Sequence, residues 1–148
     1  MTVLATQANP YFTVSRLELE RSGPSYSVDT VRQLRQERGG DCEIFFITGV
    51  DAVRELLTWK EPDRLLELCE VVAVARPGFE PRELEEKLGE ERARRIHLLP
   101  VGGMMVSSTE IRERVRLGLS IRYLTPEPVC EYIAAQRLYV NRCRRMGC

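Results

Sequence analysis

Ser107, Ser108 and Thr109 set three hydroxyls in a row, and Arg112 follows about one helical turn later. A hydroxyl residue with Glu110 three positions on is the spacing of a capping box. The segment Val106-Ser107-Ser108-Thr109-Glu110-Ile111-Arg112 therefore predicts the opening of a helix. Ile111 and Val115 fall on its inward face, and Gly118 stands near its end. A helix start carries free backbone N–H groups and the positive end of the helix dipole. Hydroxyl donors and a guanidinium added to those groups make a competent phosphate cradle. Taken alone, the segment is equally consistent with a capped helix whose Arg112 is simply solvated.

Other chemically able residues sit where apolar runs end. Gly49-Val50-Asp51 closes one run, and an acidic group at a strand end is placed to hydrogen-bond a ribose hydroxyl. Arg76-Pro77-Gly78 closes a second. Trp59, the only tryptophan, lies between Thr58 and Lys60, polar neighbours that favour a partly exposed ring over a core aromatic. His97, the only histidine, stands between Ile96 and Leu98 and reads as a strand residue rather than a catalytic one. The five cysteines (Cys42, Cys69, Cys130, Cys143, Cys148) form no close pair, and an odd number cannot all pair within one chain. A reduced, cytoplasmic protein fits best. Cys69 and Cys130 read as small core residues, and Cys143 and Cys148 as incidental thiols of a basic tail over 142–148.

These residues need elements to hold them. Apolar runs at 43–49, 71–75 and Ile96–Pro100 predict strands, the first two buried on both faces. Between and around them lie helical patterns. Ser27–Arg38 sets Val28, Val31 and Leu34 on one face, with Asp29 at the positive end and Gly39-Gly40 as a stop. Further helices are predicted over 52–57, 63–68 and 81–95; the last is strongly charged, with Leu84 and Leu88 as a thin apolar stripe. Strands alternating with helices imply βαβ units, a parallel sheet and an α/β fold, with ligands at the carboxyl ends of the strands.

Composition agrees. The 148 residues, 43% hydrophobic and 30% charged, are one domain's worth and enough for a real core. Lys plus Arg equals Asp plus Glu at 22 each, so nothing pulls the whole chain toward nucleic acid or an anionic membrane, and any phosphate site must be local. No apolar run approaches the length of a membrane-spanning helix, and the first residues have neither the basic flank nor the apolar stretch of a signal peptide.

Taken in order, the motifs resemble those of bacterial nicotinate mononucleotide adenylyltransferases. Ser22-Gly23-Pro24-Ser25-Tyr26-Ser27-Val28-Asp29-Thr30 looks like the start of that family's substrate-side helix, and Ile47-Thr48-Gly49-Val50-Asp51 like its Gly-x-Asp strand end. Trp59 stands for its substrate tryptophan, Ala75-Arg76-Pro77-Gly78 for its Arg-Pro-Gly turn, and Ser107 to Arg112 for its C-terminal motif. Tyr123-Leu124-Thr125-Pro126-Glu127-Pro128-Val129 and Tyr132-Ile133 then follow in place, so the likeness runs from about Asn9 to Tyr139.

The resemblance implies a Rossmann-like nucleotidyltransferase sheet and adenylyl transfer from ATP to nicotinate mononucleotide, with Mg²⁺ bound largely through the phosphates. It also implies roles. Ser107, Ser108, Thr109 and Arg112 would hold the ATP phosphates, and Gly49 and Asp51 would sit by the adenosine. Trp59 would stack on the pyridine ring, with Ser27 and the backbone around Lys60 near the nicotinate carboxyl, and Arg76 would add to the substrate site. The family usually has Thr where this chain has Ser27.

The family's Gly-x-Phe-x-Pro-x-His-x-Gly-His loop does not occur in these residues, so no catalytic residue is assigned. The expectation is one N-terminally incomplete domain over 1–148, whose coding DNA holds that loop upstream of Met1. Two alternatives stay open: transfer to nicotinamide mononucleotide, and a nucleotide-binding remnant without chemistry. Nucleic-acid binding through 142–145 has little support at zero net charge, and assembly into a homo-oligomer is left open.

Overall fold

Three apolar runs pair as strands in the computed structural model, which describes every residue except 40–41, 76–77, 103–105 and 141–148. In chain order come α1 (Thr2–Thr6), α2 (Leu17–Glu20), α3 (Ser27–Arg38), β1 (Phe45–Gly49), α4 (Val50–Val53) and a 3₁₀ turn (Leu56–Thr58). α5 (Pro62–Leu68), β2 (Glu70–Ala75), α6 (Arg82–Leu88), α7 (Glu90–Arg94), β3 (Ile96–Pro100), α8 (Ser108–Arg116) and α9 (Glu127–Ala135) follow. They form two compact units: Arg16–Gly103, and Met1–Ser15 with the described part of Met104–Cys148.

The first unit carries a parallel sheet in the order β1-β2-β3 among the described residues. The register sets Ile47 beside Val72 and Thr48 beside Ala73, then Val72 beside His97 and Val74 beside Leu99. One face of this sheet is covered. Val28 and Val31 of α3, Val53, Leu56, Leu65, Leu84 and Leu88 pack with Val71, Ala73 and Ile96 into one buried cluster. Leu56 and Leu65 are fully enclosed, so each contributes roughly 1.5–3 kcal/mol of burial.

The other face is open. Side chains alternate across a strand, and on β1 the burial alternates with them: Phe45 is 53% exposed and Ile47 66%. Leu99 of β3, on the same face by register, is 48% exposed. The expectation that β1 is buried on both faces is thus corrected: among the described residues β1 is an edge strand, and helices cover only its inner side. Two helices differ from expectation as well. Residues 81–95 divide at Gly89 (φ 82°) into α6 and α7, because that backbone conformation ends a helix. Residues 52–57 divide into α4 and the 3₁₀ turn.

In the second unit, α1 packs beside α9, and Ile111, Val129 and Ile133 are its buried apolar residues. Cys130, expected in the core, is half-buried, its Sγ 3.0 Å from the Thr125 hydroxyl. Cys143, Cys148 and the basic tail lie outside the described residues.

Candidate active site

Helices α3 and α5 lie side by side and run the same way. Lys60 Nζ reaches Asp29 Oδ2 at 2.9 Å near their starts, and Arg35 donates to the Leu68 carbonyl at 2.8 Å near their ends. Each helix delivers the chain to the amino end of the next strand, so both N-termini lie toward the carboxyl ends of the sheet. There a parallel sheet binds ligands.

A pocket of about 300 Å³ occupies this end, lined by Ser25, Tyr26, Ser27, Thr58, Trp59 and Lys60. Three expected residues, Ser27, Trp59 and Lys60, are therefore brought together. α3 begins at Ser27, and the Tyr26 carbonyl accepts from the N–H groups of Asp29 and Thr30. The N–H groups of Ser27 and Val28 precede that ladder and remain at the pocket end with the positive end of the dipole. The Trp59 ring is braced edge-on by Phe46, with centroids 5.9 Å apart, and the Lys60 ammonium sits 4.8 Å above the Tyr26 ring. The hydrogen bond from Lys60, with the charges of Lys60, Arg32 and Arg21, holds the Asp29 carboxyl below the usual carboxylate range. A pocket with an aromatic wall, a helix start and an ammonium suits a flat ring bearing a negative charge.

At the end of β1, Gly49 leaves open ground: a Cβ built there would meet nothing within 4 Å. Asp51 follows in the first turn of α4, its side chain 69% exposed and 3.8 Å from the Arg54 guanidinium. Arg54 also pairs with Glu83 and lies over the Phe79 ring at 5.7 Å. Its Nε is buried without a partner among the described residues. Arg76 lies outside the described residues.

In the second unit, Ser107 caps α8: its Oγ accepts from the Glu110 N–H at 3.1 Å. The Glu110 carboxylate faces Arg114 at 3.8 Å, so the capping box is made from the serine side. Arg112 bends back over the first turn and donates to the Thr109 hydroxyl at 3.1 Å. Ser107, Ser108, Thr109 and Arg112 are all exposed, so donors and charge face outward together. Exposed hydroxyls, a guanidinium and a helix start are groups that can bind an anion.

Sequence reasoning missed Asp29 as a partner of Lys60, Arg54 as a partner of Asp51, and Tyr26 and Thr58 as pocket walls. Only the last two had a signal, as direct neighbours of marked residues. A larger hollow of about 410 Å³, lined by Arg35, Cys42, Glu67, Cys69 and Glu70 among others, lies at the amino ends of β1 and β2. That is the end a parallel sheet does not use for ligands. His97 lies in β3, its Nε2 2.8 Å from Glu70 Oε2. Among the described residues, no three His, Cys, Asp or Glu are grouped to hold a metal.

Known proteins resemble this chain over most of its length. A cytidylyltransferase-like family model matches residues 1–114. A probable nicotinate-nucleotide adenylyltransferase of Moorella thermoacetica is 51% identical over 145 residues, 96% of this chain and 67% of the relative. One from Frankia alni is 46% identical over 142 residues, 96% of this chain and 72% of the relative. Among solved structures, a Plasmodium falciparum nicotinic acid mononucleotide adenylyltransferase complexed with NaAD aligns with a TM-score of 0.59 at 17% identity. It covers 80% of this chain and 58% of that one, a likeness of fold. The chain thus spans about two thirds of the curated relatives and less of the solved protein. With that identity sustained along nearly its whole length, the chain belongs to the nicotinate-nucleotide adenylyltransferases, within the cytidylyltransferase-like family.

Proposed function

We propose that this chain binds nicotinate mononucleotide and ATP for adenylyl transfer, and the pocket beside Trp59 is the observation that carries the reading. The pyridine ring stacks on Trp59. Its carboxylate meets the N–H groups at the start of α3 and the Lys60 ammonium. Acid is preferred over amide, because both partners reward a negative charge. Asp51 accepts from a ribose hydroxyl of the adenosine, beside the open ground at Gly49. Ser107, Ser108, Thr109 and Arg112 take the phosphates, and Arg76 adds to the substrate site.

In the reaction, a phosphate oxygen of the mononucleotide attacks the α-phosphorus of ATP. A new P–O–P link forms, the bond between α- and β-phosphates breaks, and pyrophosphate leaves with the electron pair. Such a transfer needs positioning and charge neutralisation more than covalent help. The family is one of ATP-using nucleotidyltransferases, and we take the cation to be Mg²⁺, entering on the triphosphate and neutralising its charge. No helix among the described residues is long and apolar enough to cross a membrane, and the cytoplasm is the proposed site of action.

The test is pyrophosphate release. Release that requires both ATP and nicotinate mononucleotide, and falls when nicotinamide mononucleotide is substituted, is the expected result. Thermal stabilisation by ATP with no release would point to a nucleotide-binding module.

A further inference from the structure

The pocket wall formed by residues 58–60 packs on the core beside α3 and is tied to that helix by ion pairs. Lys60 Nζ contacts Asp29 Oδ2 at 2.9 Å, and Asp29 Oδ1 takes Arg32 Nη1 at 2.9 Å. Arg32 Nη2 then reaches Glu61 Oε2 at 3.3 Å, which completes a chain of four charges from the first turn of α3 to the residue before α5. Glu61 holds a left-handed backbone (φ 48°), which a side-chain-bearing residue keeps only where its surroundings fix it. Asp29 is the hub, with one oxygen on the helix's own Arg32 and the other on the opposite wall. Its side chain is only 24% exposed, so the pair is better shielded than an ordinary surface ion pair.

We propose that Asp29 is a positioning residue for the mononucleotide pocket: through Lys60 it fixes the wall that carries Trp59 at a set distance from the start of α3. Asp29 itself is not among the residues that line the pocket. Its carboxylate also draws the Lys60 ammonium over the Tyr26 ring, so the positive charge stands at the pocket rather than swinging into solvent. Its ion-pair partners Lys60 and Arg32 lie in the same compact unit as the pocket, so its effect should fall on the mononucleotide.

This inference rests on the mononucleotide reading of the pocket, and Trp59 allows the two to be tested apart. Because Trp59 is the only tryptophan, fluorescence excited selectively through tryptophan reports this pocket rather than the five tyrosines. Nicotinate mononucleotide titrated into the unaltered chain should quench it; no quenching would refute the pocket reading itself, and the positioning role with it. Given quenching, Asp29→Asn should weaken mononucleotide affinity about tenfold while ATP affinity holds. Asp29→Glu, which keeps the charge, should recover part of the loss. Lys60→Gln breaks the same pair from the other side and also removes the ammonium that meets the carboxylate, so its loss should be larger. Adding Asp29→Asn to it should then cost nothing further. Unchanged affinity in Asp29→Asn, additive losses in the double variant, or equal loss of ATP binding would each overturn the proposal.

Discussion

Ser107 caps α8 with its hydroxyl and is also proposed to face a phosphate, and substitution can separate the two roles. Ser107→Ala removes the cap and should lower stability by about 0.5–2 kcal/mol in thermal or denaturant unfolding. Ser107→Asp keeps a capping oxygen yet sets a negative charge in the cradle, so stability should hold while ATP affinity falls. Trp59→Ala should weaken nicotinate mononucleotide binding and spare ATP; equal loss of both would mark the ring as structural. Cys69 offers a check of burial: desolvation, with the neighbouring charge of Glu70, pushes its thiol up to about 11. At neutral pH a thiol reagent should label Cys42, which is half-buried, well before Cys69. Raising the pH toward that value should ionise Cys69 in the unfolded chain first, which destabilises the fold. Much of this residue-scale picture was legible beforehand, since Ser27, Trp59 and Lys60 do share one pocket. Their charge partners were not. Asp29 lies 31 positions from Lys60 in the chain, and no local pattern announces such a pairing.

Elements were legible where the pattern was long or the stop was strong. α3 and β3 match their expected bounds, the first helped by its glycine stop and the second by Pro100. The run at 81–95 misled because charge dominates it and a lone glycine in a helical pattern is often tolerated. Gly89 instead sits at φ 82° and turns the chain between α6 and α7. Gly89→Ala should therefore cost about 1–3 kcal/mol in equilibrium unfolding, with no steric clash to blame, since a Cβ there meets nothing within 4 Å. α1 and α2 escaped notice because neither contains a buried residue, which leaves no apolar period to read. Ion pairs add an acid-sensitive layer at this scale. Asp63 is held below the usual carboxylate range by its hydrogen bonds from Arg92, and Glu113 by those from Arg116. Each folded-state value is depressed, so the stability it contributes is present above the ordinary carboxylate range and lost as pH falls through the lowered one. Thermal unfolding should be flat from these groups near neutrality and fall below about pH 4, and Asp63→Asn should flatten part of that decline.

At the scale of the molecule, the residues proposed to bind ligands fall in two compact units. Gly49, Asp51 and the mononucleotide pocket belong to Arg16–Gly103, whereas the residues of α8 belong to the other unit. That division was hidden from sequence reasoning, because the pattern of alternating runs carries no mark of which segments cluster. The open side of the sheet was hidden too, since a continuous apolar strand reads alike whether one face or both are covered.

That open side will govern how the protein behaves on the bench. Phe45, Ile47 and Leu99 form a greasy patch next to an edge strand whose backbone groups have no neighbour among the described residues, and the chain carries no net charge to keep copies apart. Both conditions favour sticking between molecules. A hydrophobic dye should light up on the native protein, and light scattering should climb with concentration and with added sulfate. Ile47→Lys should suppress both at little expense in melting temperature, making it the variant to carry into crystallisation and titration work.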